Sequence, residues 1–305
     1  MDFDLQANNE KMIADRVFPM FEVGTAGGNY GRIPLEQLIQ VSKTERASGS
    51  SYNRIEYEFE EAFFQTKENG LEGPVDERDK NLYADFFDAE VVTSEIIRSD
   101  ILINREIRVA EKTFNNPAIE STAATAPWSN WANARPIDDV FKARIAIYER
   151  TGLWANSLIV SYITYLHLQQ CEQILNRISA QGAGDRIKPT DVNEQMIAQV
   201  FNIDEIVVGG GSTNNSKKGL AAEVAQIWDP SKAMMAKLIP AGSRNIREPG
   251  LGRSFHWGGD GSRLNGLQES YWDETCRSEI QRVRHETDER ITYSEAGQLL
   301  TGVVA

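Results

Sequence analysis

The chain has 305 residues, of which 41% are hydrophobic and 25% charged, with 45 acidic against 32 basic side chains. This length exceeds the roughly 100 to 200 residues of a typical domain, so one large or two modest compact units are expected. The composition is that of a globular protein and excludes wholesale disorder. A net charge of −13 disfavours tight, sequence-independent binding of nucleic acid, which needs clustered Lys and Arg.

The sequence also indicates the compartment. No apolar run approaches the roughly 20 residues that span a bilayer, and the nearest candidate, residues 158–168, is short and broken by polar groups. The acidic start lacks the basic-then-apolar order of a secretory signal. Cys171 and Cys276 have no CxxC spacing for zinc or redox chemistry. We therefore expect a soluble protein that is made in the cytoplasm, without a disulfide framework or a membrane partner.

The N-terminal third contains a loose segment followed by a strand signal. The first 35 residues show no sustained periodicity and are punctuated by Gly and Pro, which is typical of an extended arm. Charged and apolar residues alternate from Arg54 to Phe59, which predicts a half-buried strand. Asn69-Gly70 and Gly73-Pro74 then supply turn residues, so a hairpin is predicted. An isolated hairpin is marginal in water, so this one is either the edge of a compact sheet or a projecting contact arm.

A long helix is predicted over residues 85–114, which contain no Pro or Gly. At about 1.5 Å per residue it would be roughly 45 Å long. Its apolar residues form two stripes, which indicates a helix covered on more than one side. The first stripe comprises Val92, Ile96, Ile103, Ile107, Ala110 and Phe114, and the second comprises Phe87, Val91, Ile97 and Ile101.

A second unit with mixed strands and helices is predicted from residue 137 onward. The expected elements are a helix at 137–152, a buried strand at 158–160, a helix at 161–178 with Ser161 as N-cap, a helix from a Thr190-Asp191 cap to about Phe201, and strands at 206–208 and 233–239. The tail alternates again at Ile280 and Val283. Residues 299–304 are consistent with a strand that returns to the first unit.

The clearest candidate for a catalytic motif is the run Gly209 to Gly211, which follows a predicted strand where a phosphate-binding loop would lie. The spacing does not match GxxxxGK followed by Ser or Thr, because the fifth residue after Gly211 is Ser216, with Lys217 and Lys218 next. GxGxxG is also absent from the sequence. A surface loop is expected, and an enzyme site at 209–218 remains the alternative from another functional class.

The three histidines give no metal or catalytic pattern. His285-Glu286 resembles the start of a zinc-protease motif, but the fourth residue after His285 is Glu289. His167 and His256 lie in unrelated contexts, and each histidine is expected to pack. The chain has no GxSxG elbow, and with 45 carboxylates a close acid pair carries no information. No catalytic residue, metal or cofactor is therefore predicted.

The ordered set of segments resembles a known family. The family's arm and extended loop are similar to GRIPLEQLIQVSKTERASGSSYNRIEYEFEEAFFQTKENGLEGPVDE, and its spine helix is similar to FFDAEVVTSEIIRSDILINREIRVAEKTFN. NSLIVSYITYLHLQQCEQILNRI and FNIDEIVVGGG resemble parts of its axial domain, and GRSFHW and ITYSEAGQLLTGVV fit its late pattern. The chain resembles the major capsid proteins of tailed double-stranded DNA bacteriophages, which have the Hong Kong 97 fold.

The resemblance implies an α+β fold with five parts: an N-terminal arm (1–45), an extended-loop hairpin (46–82), a peripheral domain with the spine helix (83–136), an axial α/β domain (137–265) and strands returning to the peripheral domain (266–305). It implies a non-enzymatic subunit that forms pentamers and hexamers of an icosahedral virion shell, assembled in the host cytoplasm. The implied partners are a separate scaffolding protein, since no long helical segment precedes the arm, a portal protein, a decoration protein and weakly held double-stranded DNA. A bacterial encapsulin-like compartment with the same fold is the closest alternative.

The predicted subunit contacts lie in the loop and on the long helix. Apolar and acidic residues alternate in the loop: Ile55, Glu56, Tyr57, Glu58, Phe59 and Glu60. We expect the apolar side chains to lie on a neighbouring subunit and the acidic side chains to select where the loop docks. A complementary basic stripe is predicted on the long helix: Arg98, Arg105 and Arg108.

Overall fold

The structure is a computed structural model that describes residues 11–55, 58–180, 188–217, 219–243 and 245–305. The helices are α1 (Ala14–Val17), α2 (Leu35–Ile39), α3 (Glu77–Tyr83), α4 (Ala89–Phe114), α5 (Pro136–Thr151), α6 (Tyr162–Gln170), α7 (Glu172–Ala180) and α8 (Glu194–Phe201). Short 3-10 turns occupy Pro189–Asp191 and Ser294–Ala296. Within the described ranges, none of these helices is long and apolar enough to cross a membrane.

Across the described residues, the strands build two five-stranded sheets and two short pairs. They are β1 (Met20–Val23), β2 (Gly27–Arg32), β3 (Glu60–Gln65), β4 (Lys67–Asp76), β5 (Ser121–Ala123), β6 (Ser157–Ser161), β7 (Glu205–Gly209), β8 (Ser212–Asn214), β9 (Val224–Gln226), β10 (Lys232–Ala236), β11 (Gly252–Trp257), β12 (Leu267–Asp273), β13 (Ser278–Ile291) and β14 (Gly297–Thr301). The first sheet has the order β1-β11-β13-β12, with β4 also paired to β13, and the second has the order β5-β14-β10-β6-β7.

The spine helix α4 lies on the first sheet. Asp88 caps its start by accepting hydrogen bonds from the backbone N–H groups of Glu90 and Val91. The 26 residues of the helix make it about 39 Å long at 1.5 Å per residue. Ile97 and Ile101 pack with Val283 of β13 in a small buried cluster. The predicted long helix is therefore confirmed, although it begins four residues later than expected.

The two predicted apolar stripes of α4 are buried unequally. Ile97 and Ile101 face the sheet, whereas Val91 and Ile96 are exposed. In the last turns, Val109, Ala110 and Phe114 join a second core beneath the second sheet. The helix thus runs across the first sheet and ends in the core of the second unit, so it connects the two.

Both faces of the second sheet are buried. Leu158 and Val160 of β6 pack in the core formed with α5 to α8, while Ile159 packs in the core formed with α1 and the end of α4. Successive side chains of a strand point to opposite faces, so a strand covered on both sides is apolar at every position. The predicted buried strands at 158–160 and 206–208 are confirmed as parts of β6 and β7.

The predicted hairpin is wrong in its pairing. β3 pairs antiparallel with β2, and β4 pairs antiparallel with β13. Arg54, Ile55, Glu58 and Phe59 lie in no strand, and Glu56 and Tyr57 lie outside the described residues. The expected turn residues at 69–70 and 73–74 lie inside β4, where pairing with β13 overrides the local turn tendency. A proline is tolerated there because β4 is an edge strand.

Three features of the second unit differ from the prediction. The helix expected over 161–178 is capped by Ser161 as predicted but is broken at Cys171 into α6 and α7. Asn193 caps α8, instead of Thr190-Asp191. β14 pairs with β10 and β5 in the second sheet, whereas a return to the first sheet was expected, because Leu299 and Leu300 fill the two cores of the second sheet.

Candidate subunit-contact surface

A long connection joins β2 to β3, and its outer part, residues 41–59, is called the tip segment. Several large apolar side chains of the tip segment are uncovered: Val41 is 95% exposed, Phe59 68% and Ile55 55%. Scattered exposed apolar residues are normal, but several on one segment mark an interaction surface. The tip segment is therefore the candidate surface for subunit contact.

The root of this connection is fixed to its own subunit. Arg32 donates from Nε to Glu60 Oε2 at 2.9 Å and from Nη1 to the Thr292 carbonyl at 2.7 Å. Leu35 packs in a buried cluster with Tyr293 and Ala296. Phe64 stacks on Phe255 of β11 with ring centroids 4.8 Å apart. These contacts hold the base of the tip segment in one orientation.

The tip segment itself is held mainly by local contacts. The Asn53 side-chain amide donates to the Lys43 carbonyl at 2.8 Å, and the Arg46 guanidinium lies 4.5 Å from the centre of the Tyr52 ring. The Glu58 backbone N–H donates to the Gln37 side chain at 3.2 Å. All described residues from 40 to 55 are exposed. The tip segment is thus fixed at its base, and its described residues are mostly exposed to solvent.

The structure places the predicted loop contacts as follows. Ile55, Glu58 and Phe59 are exposed on the tip segment. Glu60 is also exposed, but its carboxylate is paired with Arg32 at the root of the loop. Ile55 and Phe59 thus stay candidates for contact with a neighbouring subunit, whereas Glu60 already has a partner in its own subunit.

The basic stripe predicted on the long helix is mostly used inside the subunit. Arg105 is 2% exposed, and its guanidinium donates to Asp15 Oδ1 at 2.6 Å and to Ser254 Oγ at 3.2 Å. Arg108 donates to both carboxylate oxygens of Glu289, at 3.0 and 3.1 Å. Residues three apart share one face of a helix, and this face lies on the first sheet. The prediction that Arg105 contacts a neighbour is therefore wrong, and Arg108 is engaged within the subunit.

Arg98 differs from the other two arginines. It is half-buried, and its Nε makes no hydrogen bond with any described residue. It therefore stays a candidate for contact with an acidic group of a neighbour.

Glu289 forms the acidic side of this internal network. Burial would by itself raise the pKa of its carboxyl, but the hydrogen bonds and positive charge of Arg108 outweigh burial and hold the pKa below its ordinary value. The hydroxyl of Thr287 donates a further hydrogen bond to Glu289 at 2.9 Å. The carboxylate is thus kept charged between the spine helix and β13.

Glu106 is a structural residue that the sequence did not reveal. Its fully buried carboxylate accepts hydrogen bonds from the backbone N–H groups of Ile13 and Ala14, both at 2.8 Å, and from Trp228 Nε1 at 2.6 Å. Burial raises the pKa of Glu106, and the three donors partly offset that rise. A glutamate inside a helix gives no sign of such partners, because they come from segments about 90 and 120 residues away.

The glycine run after β7 is filled by protein side chains. A Cβ on Gly209 would lie 2.3 Å from Trp228 Cδ1, one on Gly210 would lie 2.9 Å from Lys11 Cβ, and one on Gly211 would lie 3.0 Å from Ile227 Cδ1. Glycine is needed here because other side chains approach the backbone closely. This packing counts against the alternative of a phosphate-binding site, although Lys218 lies outside the described residues.

The histidines pack, as expected. His285 is fully buried, its Nδ1 lies 3.0 Å from the Leu264 carbonyl, and burial lowers its pKa to about 4. His256 is buried in β11. His167 lies within α6, is half-buried and accepts a hydrogen bond from Trp131 Nε1 at 3.1 Å.

No protein-family model matches the chain. A curated relative, the major capsid protein of Pseudomonas phage JBD67, is 22% identical over 255 residues, which are 82% of this chain and 79% of the relative. A phage-related protein from Bordetella bronchiseptica has a TM-score of 0.68 and 18% identity, with 96% of this chain and 92% of that chain covered. The capsid of cyanophage P-SCSP1u has a TM-score of 0.61 and 11% identity, with 96% and 89% covered. The chain thus has the α+β Hong Kong 97 fold of phage capsid proteins, as the sequence resemblance predicted.

Proposed function

We propose that this chain is a major capsid protein, a subunit that assembles into pentamers and hexamers and closes them into an icosahedral phage shell around double-stranded DNA. The observation that carries the proposal is the agreement with a capsid structure along 96% of the chain. The name of the curated relative supports the same function. The role is structural and not enzymatic.

The tip segment supplies the main contact with a neighbouring subunit. Ile55 and Phe59 are large, apolar and uncovered by their own subunit. Burying such a side chain fully contributes about 1.5 to 3 kcal/mol, so covering both on a neighbour stabilises each contact substantially. Tyr57 belongs to the same alternating set, and Glu56 and Glu58 are the charges that select the docking position.

The outer side of the spine helix is the surface that receives a neighbour's tip segment. Ile96 is exposed, and Ile103 and Ile107 are half-buried. Their spacings of seven and four residues place them on one side of the helix. Arg98 is two residues from Ile96 and lies on the opposite side of the helix, so it is not part of this receiving surface.

The remaining partners follow from this role. A separate scaffolding protein would guide assembly, a portal protein would occupy one vertex, and a decoration protein would bind outside. The net charge of −13 supports a shell that holds DNA only by weak, non-specific contact. Assembly in the host cytoplasm precedes the chain's final place in the virion.

An encapsulin-like compartment is the alternative with the same fold. The phage origin of the curated relative favours the capsid. Recombinant shells that copurify with a specific cargo enzyme would support the compartment instead.

Sedimentation and electron microscopy of the recombinant chain test the proposed function. We expect megadalton closed particles, whereas an enzyme would sediment as a small oligomer. Replacing residues 41–59 with a short Gly-Ser linker should leave a folded subunit that forms no closed shells, because few contacts inside the subunit depend on this segment. A variant of unchanged length with Ile55→Ser and Phe59→Ser is the matched control for loop length. Normal shells from both variants would contradict the assigned role of the tip segment.

A further inference from the structure

β1 forms an open edge of the first sheet. It pairs in parallel with β11, and within the described residues no other strand pairs with it. Alternate backbone N–H and C=O groups of an edge strand point away from the sheet and can bond an added strand. Met20 and Glu22 are exposed along this edge. An extended peptide can therefore add to β1 through main-chain hydrogen bonds.

A cleft of about 840 Å³ follows this edge. Residues 19–24 line one side of it, and the remaining lining comes from Asp15, Leu264 and the loops at 241–242 and 258–259. All four residues of β1, Met20–Val23, line the cleft, so this edge is accessible to an added peptide.

The charged groups at this cleft are acidic. Asp15 and Glu22 line it, and Asp15 is already paired with Arg105. The Glu22 backbone pairs with β11, but its exposed carboxylate has no salt-bridge or hydrogen-bond partner among the described residues. A Cβ on Gly258 would lie 3.4 Å from His256 Cε1 and 3.6 Å from Glu22 Oε1, so the histidine ring and the free carboxylate approach the same point.

His256 adds an unused polar atom to this place. The residue is 3% exposed, and its Nε2 has no hydrogen-bond partner among the described residues. His256 does not line the cleft and lies behind it, so the exposed Glu22 carboxylate is the group that favours a cationic side chain on an added peptide. The cleft is therefore suited to an extended peptide that carries Lys or Arg.

The tip segment contains such a peptide. Residues 42–54 carry Lys43, Arg46 and Arg54 against the single acid Glu45, in a chain whose net charge is −13. Residues 41–47 form neither helix nor strand, and they precede a turn closed by the Ser50 N–H on the Ala47 carbonyl. No described residue of the tip segment lines the cleft of its own subunit. In this basic limb, residues 41–47, the Arg46 guanidinium contacts only the Tyr52 ring among the described residues, and the Glu22 carboxylate at the β1 edge is exposed, so each side keeps a charge that no ion pair neutralises.

We propose that residues 41–47 of one subunit add as a strand to the β1 edge of a neighbouring copy, with Lys43 or Arg46 paired to Glu22. The proposal rests on the shell function, because a contact between two different surfaces of the same chain closes a ring when it repeats around an axis. It assigns the basic limb of the tip segment a role separate from that of Ile55 and Phe59.

Disulfide scanning in assembled particles tests this contact. In a Cys276→Ser background, Glu22→Cys is combined with one cysteine at each position from 41 to 47 in turn. A disulfide forms only when the two Cα atoms lie within about 7 Å. We expect covalent multimers on non-reducing gels, strongest at every second position because side chains alternate along a strand. Each single-cysteine variant is the matched control and should stay monomeric on the gel.

Charge exchange gives an independent measurement. Glu22→Arg should lower particle yield at least tenfold, and so should Lys43→Glu combined with Arg46→Glu. Joining all three changes should restore most of the yield, whereas Glu274→Arg, a reversal at an exposed turn, should leave the yield near that of the original chain. Unchanged melting temperatures of the unassembled subunits show that the variants fold.

The outcomes separate the two claims. Particles without disulfides at any of the seven positions, and without restored yield in the exchange variant, would overturn the strand contact and leave the shell function standing. If the disulfide forms within one monomer and no multimers appear, the cleft binds the tip segment of the same subunit. This result would also overturn the strand contact between subunits. If the unmodified chain forms no particles, the shell function and the strand contact are rejected together.

Discussion

The Glu106 carboxylate accepts a hydrogen bond from the Trp228 indole at 2.6 Å, at the point where the spine helix, α1 and the second sheet meet. The same carboxylate accepts the backbone N–H groups of Ile13 and Ala14. Phe114 packs edge-on against the Trp228 ring, with centroids 5.2 Å apart. One buried acid therefore joins the N-terminal arm to both sheet units.

Glu106→Gln should lower the free energy of unfolding by about 1 to 3 kcal/mol, because the amide group turns a donor toward backbone N–H groups that need an acceptor. Urea titration of unassembled subunits measures the change. Glu111→Gln, at an exposed position of the same helix, is the matched control and should stay within about 0.5 kcal/mol. Equal stability of the two variants would show that the carboxylate is not needed at this junction.

Gly209→Ala should lower the free energy of unfolding by about 1 to 3 kcal/mol, since the added methyl group overlaps the Trp228 ring and forces it to move. Tryptophan fluorescence should report the displacement in the same samples. Gly31→Ala is the control, because a Cβ there meets no atom within 4 Å. A neutral effect at Gly209 would mean that the glycine run has a role other than close packing.

Acidification should weaken the first sheet through His285. Its folded-state pKa of about 4 lies below the ordinary value of about 6.5, so the neutral form is favoured in the folded state. The stability due to this histidine is complete above pH 6.5 and is lost as the pH falls toward 4, by up to about 3 kcal/mol. Unfolding titrations at several pH values should show this loss.

His285→Asn should flatten the pH dependence between 6.5 and 4, because the amide can still donate to the Leu264 carbonyl and does not titrate. The pKa of Glu289 is also lowered in the folded state, so stability due to this carboxylate is lost as the pH falls below the ordinary pKa of a glutamate. The His285→Asn variant should keep this second loss of stability. An unchanged slope above pH 5 would assign the acid sensitivity to another group.

Phe59→Ser and Phe64→Ser should affect different properties, assembly and subunit stability respectively, although the residues lie only five positions apart. Phe59 is 68% exposed, so its replacement should leave subunit stability nearly unchanged and reduce particle yield. Phe64 is 6% exposed against Phe255, so its loss should destabilise the subunit by about 3 to 5 kcal/mol. Melting temperature and sedimentation together separate the two effects, and a destabilised Phe59 variant would contradict the contact role.

Local sequence patterns predicted the elements whose formation depends on residues close together in the chain. The long helix, the Ser161 cap and the two apolar strands of the second sheet follow from periodicity, capping and burial on both faces. The pairing of β3 was not predictable in this way, because its partner β2 has three glycines in six residues and no apolar alternation. Likewise, nothing at 69–74 indicates that a distant strand will pair there.

The candidate contact surface was predicted only in part for a similar reason. The alternation at 54–59 drew attention to Ile55 and Phe59, which are exposed in the structure. Arg105 was misassigned because helical spacing shows which residues share a face but not which face meets the sheet. The acidic edge of β1 escaped notice because Glu22 and His256 are brought together by strand pairing across more than 230 residues of sequence.

The short link between β13 and β14 affects how the subunit can deform. Residues 292–296 join a strand of the first sheet to a strand of the second, and the Thr292 hydroxyl and backbone N–H are both bonded to neighbouring backbone, at Gly250 and Leu251. The spine helix is a second connection between the same two units. A body braced at two places resists bending, so in the proposed shell differences in local curvature would be absorbed by the tip segment, which beyond its fixed root makes few contacts with the rest of its subunit.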